Sequence, residues 1–418
     1  MAISSRLWAG ISAAALIVSS CSSGGSDPAP LVTIALGDPL PDLTPAELAS
    51  FERGKVLFEK RFRPSEGLGP FYNATSCASC HSTPVTGGSS QLYRNFYIAV
   101  AQSSTPQFAS NLRGLPSPVV PAFGSGLHAS AVFTLEGGRK VIPGDENGFP
   151  VATAQRNGIP VVGVGLFEFI SDTTILANAD PDDLDGDGIS GRNNTDAGAV
   201  GRFGVKAQSN NIELFTRAPL QNQMGITSDP FLGSGGIVSA SHAALLQATS
   251  DPNRPTMDQD GIADPEISLA DLGDLIAFSR FLAPPQKKPF DAAAERGEDL
   301  FEAIGCVKCH IPSLDSSRGP VGAYTDILLH DMGPALADGI SFGTPQSSGI
   351  DPNHTANEFR TQPLWGVSLF APYLHDGRAA TLDEAIQLHS GEAVMIRVAY
   401  ENLTQSERDD LIAFLRKL

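Results

Sequence analysis

The sequence predicts a mainly α-helical protein built as two unequal domains of one plan, the first enlarged by an insertion of loops and short strands. Three repeats predict it. Cys77-Ala78-Ser79-Cys80-His81 recurs as Cys306-Val307-Lys308-Cys309-His310. The string Glu52-Arg53-Gly54-Lys55-Val56-Leu57-Phe58-Glu59, ahead of the first motif, recurs as Glu295-Arg296-Gly297-Glu298-Asp299-Leu300-Phe301-Glu302 ahead of the second. Asp274-Leu275-Ile276-Ala277-Phe278 recurs as Asp410-Leu411-Ile412-Ala413-Phe414. Whole strings repeating in the same order indicate a duplicated unit: helix, motif, irregular middle, terminal helix.

Residues 1–20 read as a targeting segment. Arg6 supplies a positive start, and Leu7 to Val18 is an apolar run below the roughly 18 residues of a spanning helix. Val18-Ser19-Ser20-Cys21 then resembles the processing site of bacterial lipoproteins, which makes Cys21 the expected lipid attachment point. Residues 21–42, rich in Ser, Gly, Pro and Asp, fit a flexible tether. Ser22 after the cysteine, in place of Asp, implies the periplasmic face of the outer membrane.

The first domain is expected over 43–285. Its opening helix is marked by Thr44, Pro45 and Glu47, a capping box with proline at the first helical position. The insertion, 97–250, is dense in Gly, Pro and Asn. Apolar strings in it such as Val161-Val162-Gly163-Val164 fit short strands and turns. The repeated Asp-Leu-Ile-Ala-Phe string has apolar residues at helical spacing and ends each domain. The second domain is expected over 286–418, its last helix opened by Thr404 and Glu407.

Of 418 residues 41% are hydrophobic, enough for a sizeable core. A net charge of -18 without basic runs argues against nucleic-acid binding and against a polybasic membrane patch. Five cysteines do not fit a disulfide framework, and they divide as Cys21 plus two pairs, so no disulfide is expected. CxxCH is the spacing of covalent haem attachment: two thiols bond the two vinyl groups, and the next residue, His, lies under the iron. A redox CxxC needs a βαβ context, and zinc needs four ligands, while these pairs lie far apart. Two covalent haem c groups are therefore expected, at Cys77, Cys80 and His81 and at Cys306, Cys309 and His310.

The plan resembles the cytochrome c fold twice over, so two cytochrome c-like haem domains are expected. In such folds a proline carbonyl often fixes the His ring, a role that falls on Pro84 and Pro312. A wider resemblance rests on Phe359-Arg360-Thr361-Gln362-Pro363-Leu364-Trp365-Gly366, Ala371-Pro372-Tyr373-Leu374-His375-Asp376-Gly377-Arg378 and Thr381-Leu382-Asp383-Glu384-Ala385-Ile386. These look like the C-terminal haem domain of bacterial di-haem cytochrome c peroxidases and their protein-oxidising relatives. The di-haem oxidoreductase family is the nearer resemblance. It also takes in Gly165-Leu166, Asp187-Gly188-Ile189-Ser190-Gly191-Arg192, Gly201-Arg202-Phe203-Gly204-Val205-Lys206-Ala207, Leu328-Leu329-His330-Asp331-Met332-Gly333 and His389-Ser390-Gly391-Glu392-Ala393.

The resemblance implies site residues. In the peroxidase pattern a Met ligates the C-terminal haem fourteen residues after the His of the Tyr-Phe-His-Asp-Gly string. Counted from His375, that place holds His389, the expected sixth ligand opposite His310. His in place of Met lowers the potential of that haem. His330 and Met332 are expected near the same haem, His375 in a structural role, and Trp365 between the haems or simply in the core. The N-terminal haem becomes the site that reacts with peroxide or oxygen. Tyr97 stands where some peroxidases place a distal His, and His128 and Glu136 are the expected catalytic pocket residues.

Asp183, Asp185 and Asp187 alternate with Gly186 and Gly188 like the start of a calcium loop, although Asn194 stands at its twelfth position; an Asp/Gly turn cluster is the alternative. Asp258-Gln259-Asp260-Gly261 is a weaker echo. The function expected is a di-haem c-type oxidoreductase, peroxidase-like, with a redox partner protein on the electron side. A non-enzymatic periplasmic electron carrier and a di-haem enzyme that oxidises a partner protein or acts as an oxygenase on an organic substrate remain as alternatives.

Overall fold

Thr44 starts the first helix, α1 (Pro45–Glu59): its hydroxyl accepts from the Glu47 amide, and the Glu47 carboxylate accepts from the Thr44 amide. The computed structural model describes residues 34–101, 110–111, 118–124, 135–136, 139–140, 142, 144–146, 148–196, 198–228, 260–340 and 356–418. Cys21, His128, the leader and the tether up to residue 33 lie outside these. Among the described residues no helix is long and apolar enough to cross a membrane.

After α1 come α2 (Asp172–Leu176), α3 (Ile212–Met224) and α4 (Leu269–Phe281), then α5 (Ala292–Ala303), α6 (Leu382–Gln387), α7 (Val394–Glu401) and α8 (Gln405–Leu415). The protein is mainly helical with small sheets. α1 packs on α4, and α5 packs on α8. The repeated phenylalanines make both contacts. Phe278 lies 4.8 Å from Phe58 and 5.1 Å from Phe51, ring centre to ring centre, and Phe414 lies 5.2 Å from Phe301. Phe278 and Phe414 are fully buried, each worth roughly 1.5–3 kcal/mol against exposure. An arginine beside each crossing pairs with the aspartate of the repeated string: Arg53 with Asp274 at 2.6 Å and Arg296 with Asp410 at 2.7 Å.

The insertion forms an antiparallel sheet. Phe96–Ala101 pairs along its length with Phe149–Arg156, and the short strands Ser110–Asn111 and Val119–Val120 pair with Phe96–Ala101. Side chains alternate across it, as a strand requires: Ile98 and Val100 join Ala154 and Ile340 on one face, while Ala99 and Ala101 join Val120 on the other.

Two local expectations are corrected. Val161–Gly163 forms no strand; it leads into a 3-10 turn, Val164–Phe169. Its amides are taken by distant carbonyls, Val161 donating to Gly87 at 2.8 Å and Gly163 to Leu282 at 3.0 Å. The second is α3, a 13-residue helix inside the segment expected to hold only loops and strands. Asn211 caps it through the Leu214 amide, and Ile212, Leu220 and Met224 bury one face. Pro219 in its middle hid it, since proline withholds one helical hydrogen bond.

Candidate functional site

Both CxxCH motifs fold as one 3-10 turn, Cys77–Ser79 and Cys306–Lys308; the second follows α5 after two residues, whereas residues 60–76 separate the first from α1. In each, the His amide returns to the carbonyl of the first cysteine, at 3.1 Å for His81 and 3.0 Å for His310. Ser76 caps the first turn through the Ser79 amide. The repeated phenylalanine meets each imidazole: Phe58 lies 6.1 Å from His81, and Phe301 lies 6.3 Å from His310. The imidazoles are fixed by carbonyls, but not by the expected prolines. His81 Nδ1 bonds the Gly88 carbonyl at 3.3 Å, and His310 Nδ1 bonds the Tyr324 carbonyl at 2.9 Å. The Pro312 carbonyl instead accepts from the Tyr324 amide. With Nδ1 engaged, Nε2 of each ring is the nitrogen left for a metal. Desolvation pushes His310 down to about 4 and His81 below its usual range, so both are neutral, the ligating form. Two thiols and one oriented imidazole in each place are the donor set that covalent haem uses.

Around the first motif lies a cleft with about 900 Å³ of empty space. Phe58, Cys77, Cys80 and His81 form part of its wall. One face of α3 forms another, through Ile212, Phe215, Thr216, Pro219, Gln223 and Met224, while Phe167, Arg202 and Arg360 also line it. Among the described residues, the lining holds no carboxylate and no imidazole except His81. Glu136 lies in the two-residue strand Leu135–Glu136, paired with Arg139–Lys140, and its side chain is outside what the structure describes. Tyr97 sits in the sheet, 43% exposed, and does not line the cleft. The Gln223 side-chain oxygen is buried without a hydrogen-bond partner.

The second motif gathers three histidines. His389 and His330 are near enough to His310 for a charge on either to lower its pKa. The Nδ1 of His389 bonds the Ala385 carbonyl at 2.7 Å, again leaving Nε2. Both ring nitrogens of His330 are engaged, one with Asp326 at 2.7 Å and the other with Glu392 at 2.9 Å, so neither is left for iron. Glu392 also accepts from the Ser190 hydroxyl at 2.5 Å and from the Asp331 amide at 3.2 Å. Three strings that are far apart in the chain therefore meet at this carboxylate, three residues after His389. This convergence escaped sequence reasoning, which noted the strings separately and had no means of pairing them.

The Asp-rich loop is brought to the same place. The carboxylates of Asp180, Asp183 and Asp185 lie within 4.8 Å of one another. Asp187 instead pairs with Lys308, inside the second CxxCH motif, at 2.9 Å. His375 is buried and stacks on Phe359 with ring centres 4.2 Å apart. Trp365 is buried and stacks on Phe167, a residue of the first cleft, at 5.6 Å.

Comparison with known proteins follows the same lines. Cytochrome c peroxidase Ccp of Escherichia coli (strain K12) is 28% identical over 265 residues, 56% of this chain and 52% of the relative. Cytochrome c551 peroxidase of Nitrosomonas europaea is 29% identical over 124 residues, 29% of this chain and 33% of the relative. Methylamine utilization protein MauG of Methylophilus methylotrophus is 28% identical over 155 residues, 35% of this chain and 42% of the relative. The chain thus spans about a third to a half of the length of these curated relatives. The solved diheme peroxidase BthA of Burkholderia thailandensis E264 aligns with a TM-score of 0.42 at 18% identity, over 92% of this chain and 87% of that one. The sequence model of the family described as "Di-haem oxidoreductase, putative peroxidase" matches residues 148–418, a stretch that begins after the first CxxCH motif. It takes in well over half of the chain, and so the protein belongs to the di-haem oxidoreductase family.

Proposed function

We propose that the protein is a peroxidase-like di-haem c oxidoreductase, in which the haem at His81 meets peroxide and the haem at His310 exchanges electrons with a partner protein. The observation that carries this reading is the asymmetry of the two sites. His310 has a second imidazole, His389, held with its Nε2 free, whereas no imidazole or carboxylate faces His81 across its cleft among the described residues. Covalent haem supplies a one-electron centre at each site, and an open iron face, where one exists, is a place for peroxide or oxygen to react.

The chain's own residues shape that face. Phe58, Phe167, Phe203 and Phe215 make the first cleft largely apolar and keep water sparse. Thr216 donates its hydroxyl to the Ile212 carbonyl at 2.7 Å, so its remaining capacity is as an acceptor. The Gln223 oxygen is a second acceptor. Acceptors without an acid suit a ligand that brings its own protons, as hydrogen peroxide does. A haem held by His310 and His389 would supply this site with electrons taken from a partner protein.

Peroxide titration of the half-reduced protein, followed by EPR, tests the reading. A high-spin signal that peroxide abolishes is expected from the haem at His81. Two six-coordinate low-spin haems that ignore peroxide would sink the enzyme and leave a carrier. One observation favours that second reading: Met224, a soft thioether that could serve as a haem ligand, lines the same cleft.

A further inference from the structure

We propose that Arg360 holds a haem propionate in the first cleft, a buried guanidinium placed for a carboxylate that the protein itself does not provide. The proposal rests on the reading that a haem is attached at Cys77 and Cys80. Two arginines line that cleft, Arg202 and Arg360. They are 6% and 3% exposed. Arg202 is neutralised: it pairs with Asp172 at 2.5 Å and also donates to backbone carbonyls at Phe167 and Ile170. Arg360 has neutral acceptors only. Its Nε donates to the Gly204 carbonyl at 3.0 Å, Nη1 to the Thr361 carbonyl at 3.3 Å and Nη2 to the Gln362 side-chain oxygen at 2.9 Å. A guanidinium carries five N–H groups, so these three bonds leave two for a further acceptor.

Asp326 acts on Arg360 through its charge, without a hydrogen bond between them. That carboxylate is committed elsewhere, to His330 and to the Leu328 amide at 2.9 Å. Desolvation brings the Arg360 guanidinium down to about 10, so the side chain still carries its charge at neutral pH. A buried cation with no counter-charge is costly, and proteins rarely keep one without an anion to meet it. Every haem brings two carboxylates into the cleft that takes it. Arginine is the side chain best matched to a carboxylate, because its planar fork can donate two parallel bonds. The ring of Phe167, which also lines the cleft, lies 5.6 Å from the Arg360 guanidinium carbon.

The placement also ties the first haem to the second. Arg360 ends the strand Glu358–Arg360, which pairs with Leu329–Asp331, the strand that carries His330 beside Cys309. A carboxylate seated on Arg360 is then anchored to the same two-stranded ladder that contacts the second motif.

The test uses the full holoprotein and the variants Arg360→Gln and Arg360→Lys. Two readouts are followed for the haem at His81: its midpoint potential, tracked through its own EPR signal, and the propionate bending band in its resonance Raman spectrum. Loss of a positive charge beside a haem lowers its potential, so Arg360→Gln is expected to shift the potential of this haem downward, with that of the His310 haem unchanged, and to move the Raman band. Arg360→Lys is expected to keep the potential and still move the band, because an ammonium cannot reproduce the forked contact. If Arg360→Gln does not fold, an unmoved band in Arg360→Lys overturns the proposal. A folded two-haem Arg360→Gln protein with potential and band both unchanged overturns it as well, and makes Arg360 a backbone clamp. Haem found only at Cys306 and Cys309 overturns both this proposal and its premise. Failure to react with peroxide overturns the proposed activity and leaves the propionate contact standing.

Discussion

Gly54 presses on the backbone of Asp274 so closely that a Cβ at Gly54 would overlap the Asp274 carbonyl and stand 2.9 Å from the Phe278 Cβ. Gly297 has the same relation to Asp410, with the Phe414 Cβ at 2.8 Å. Each repeated string thus encodes one half of a helix crossing. The glycine lets the axes approach, the adjacent arginine clasps the aspartate from outside, and the phenylalanine four residues after the aspartate packs on Phe58 or Phe301, the ring that meets the imidazole.

Substitution of either glycine by alanine is therefore expected to destabilise, although alanine is the better helix former by about 1 kcal/mol. Overpacking against a carbonyl that belongs to the facing helix outweighs that gain, with a net loss of roughly 1–3 kcal/mol. Urea unfolding of the holoproteins checks it. Unchanged midpoints for Gly54→Ala and Gly297→Ala would mean that the helices can part without cost.

The ligand proposed opposite His310, His389, predicts a change of potential. His389→Met keeps a ligand of the type that raises haem potential, and the midpoint of this haem is expected to rise while the His81 haem is unaffected. His389→Ala is expected to leave that haem with an open face and a changed optical spectrum. Spectroelectrochemistry of the two variants decides; wild-type midpoints and spectra in both would remove His389 from the iron.

These two cases show what could be read from the chain. Both partners of each crossing sit inside strings that the sequence marks as repeated, and a fixed count from His375 makes His389 a candidate. Arg360 and Glu392 were not legible in this way. Each stood inside a noted string, but its meaning depends on which distant groups face it: Gly204 and Gln362 around one, Ser190 and His330 around the other. The α3 wall was hidden for a local reason, Pro219 and the polar run Gln221-Asn222-Gln223, which together read as loop. Burial of one face overrides such propensities, and no local pattern reports it.

Glu392 predicts a pH dependence. Burial alone would raise its pKa, but hydrogen bonds from His330 and Ser190 override this and hold it at about 2, against 4.5 ordinarily. A depressed carboxylate pKa contributes stability that is present above the unfolded value and lost as pH falls through the folded one. Wild type should thus lose on the order of 3 kcal/mol between about pH 4.5 and pH 2 through this group, at about 1.4 kcal/mol per unit. Glu392→Gln should lack that slope and be the less stable protein at neutral pH. His330 titrates in the opposite sense. Desolvation opposes its charge, yet hydrogen bonds with Asp326 and Glu392 hold it protonated above its usual range. Its contribution is complete below about 6.5 and fades only as pH rises through that higher value. Denaturant midpoints across pH for wild type and Glu392→Gln test the acid side; parallel curves would show that Glu392 makes no such contribution.

Trp365 predicts an effect on rate without one on spectra. Its ring stacks on Phe167 at 5.6 Å, and Phe167 lines the first cleft. On the other side, the preceding residue, Leu364, donates its amide to the Ala323 carbonyl at 2.9 Å, next to Tyr324, whose carbonyl fixes His310. Trp365 therefore bridges the surroundings of both proximal imidazoles and touches neither. It is also seated by Gly163, which has a φ of 73° and whose Cβ, if present, would stand 2.7 Å from the indole. Were electrons to pass between haems at the two motifs, an aromatic in that place would shorten their path. Trp365→Leu is expected to slow reduction of the His81 haem after the His310 haem has been reduced, with both optical spectra and the haem content preserved; Trp365→Phe is expected to fall between. Stopped-flow reduction resolves the two phases. If Trp365→Leu transfers electrons at the wild-type rate, the indole serves packing alone, and the loss of its buried contacts should then appear only in the unfolding midpoint.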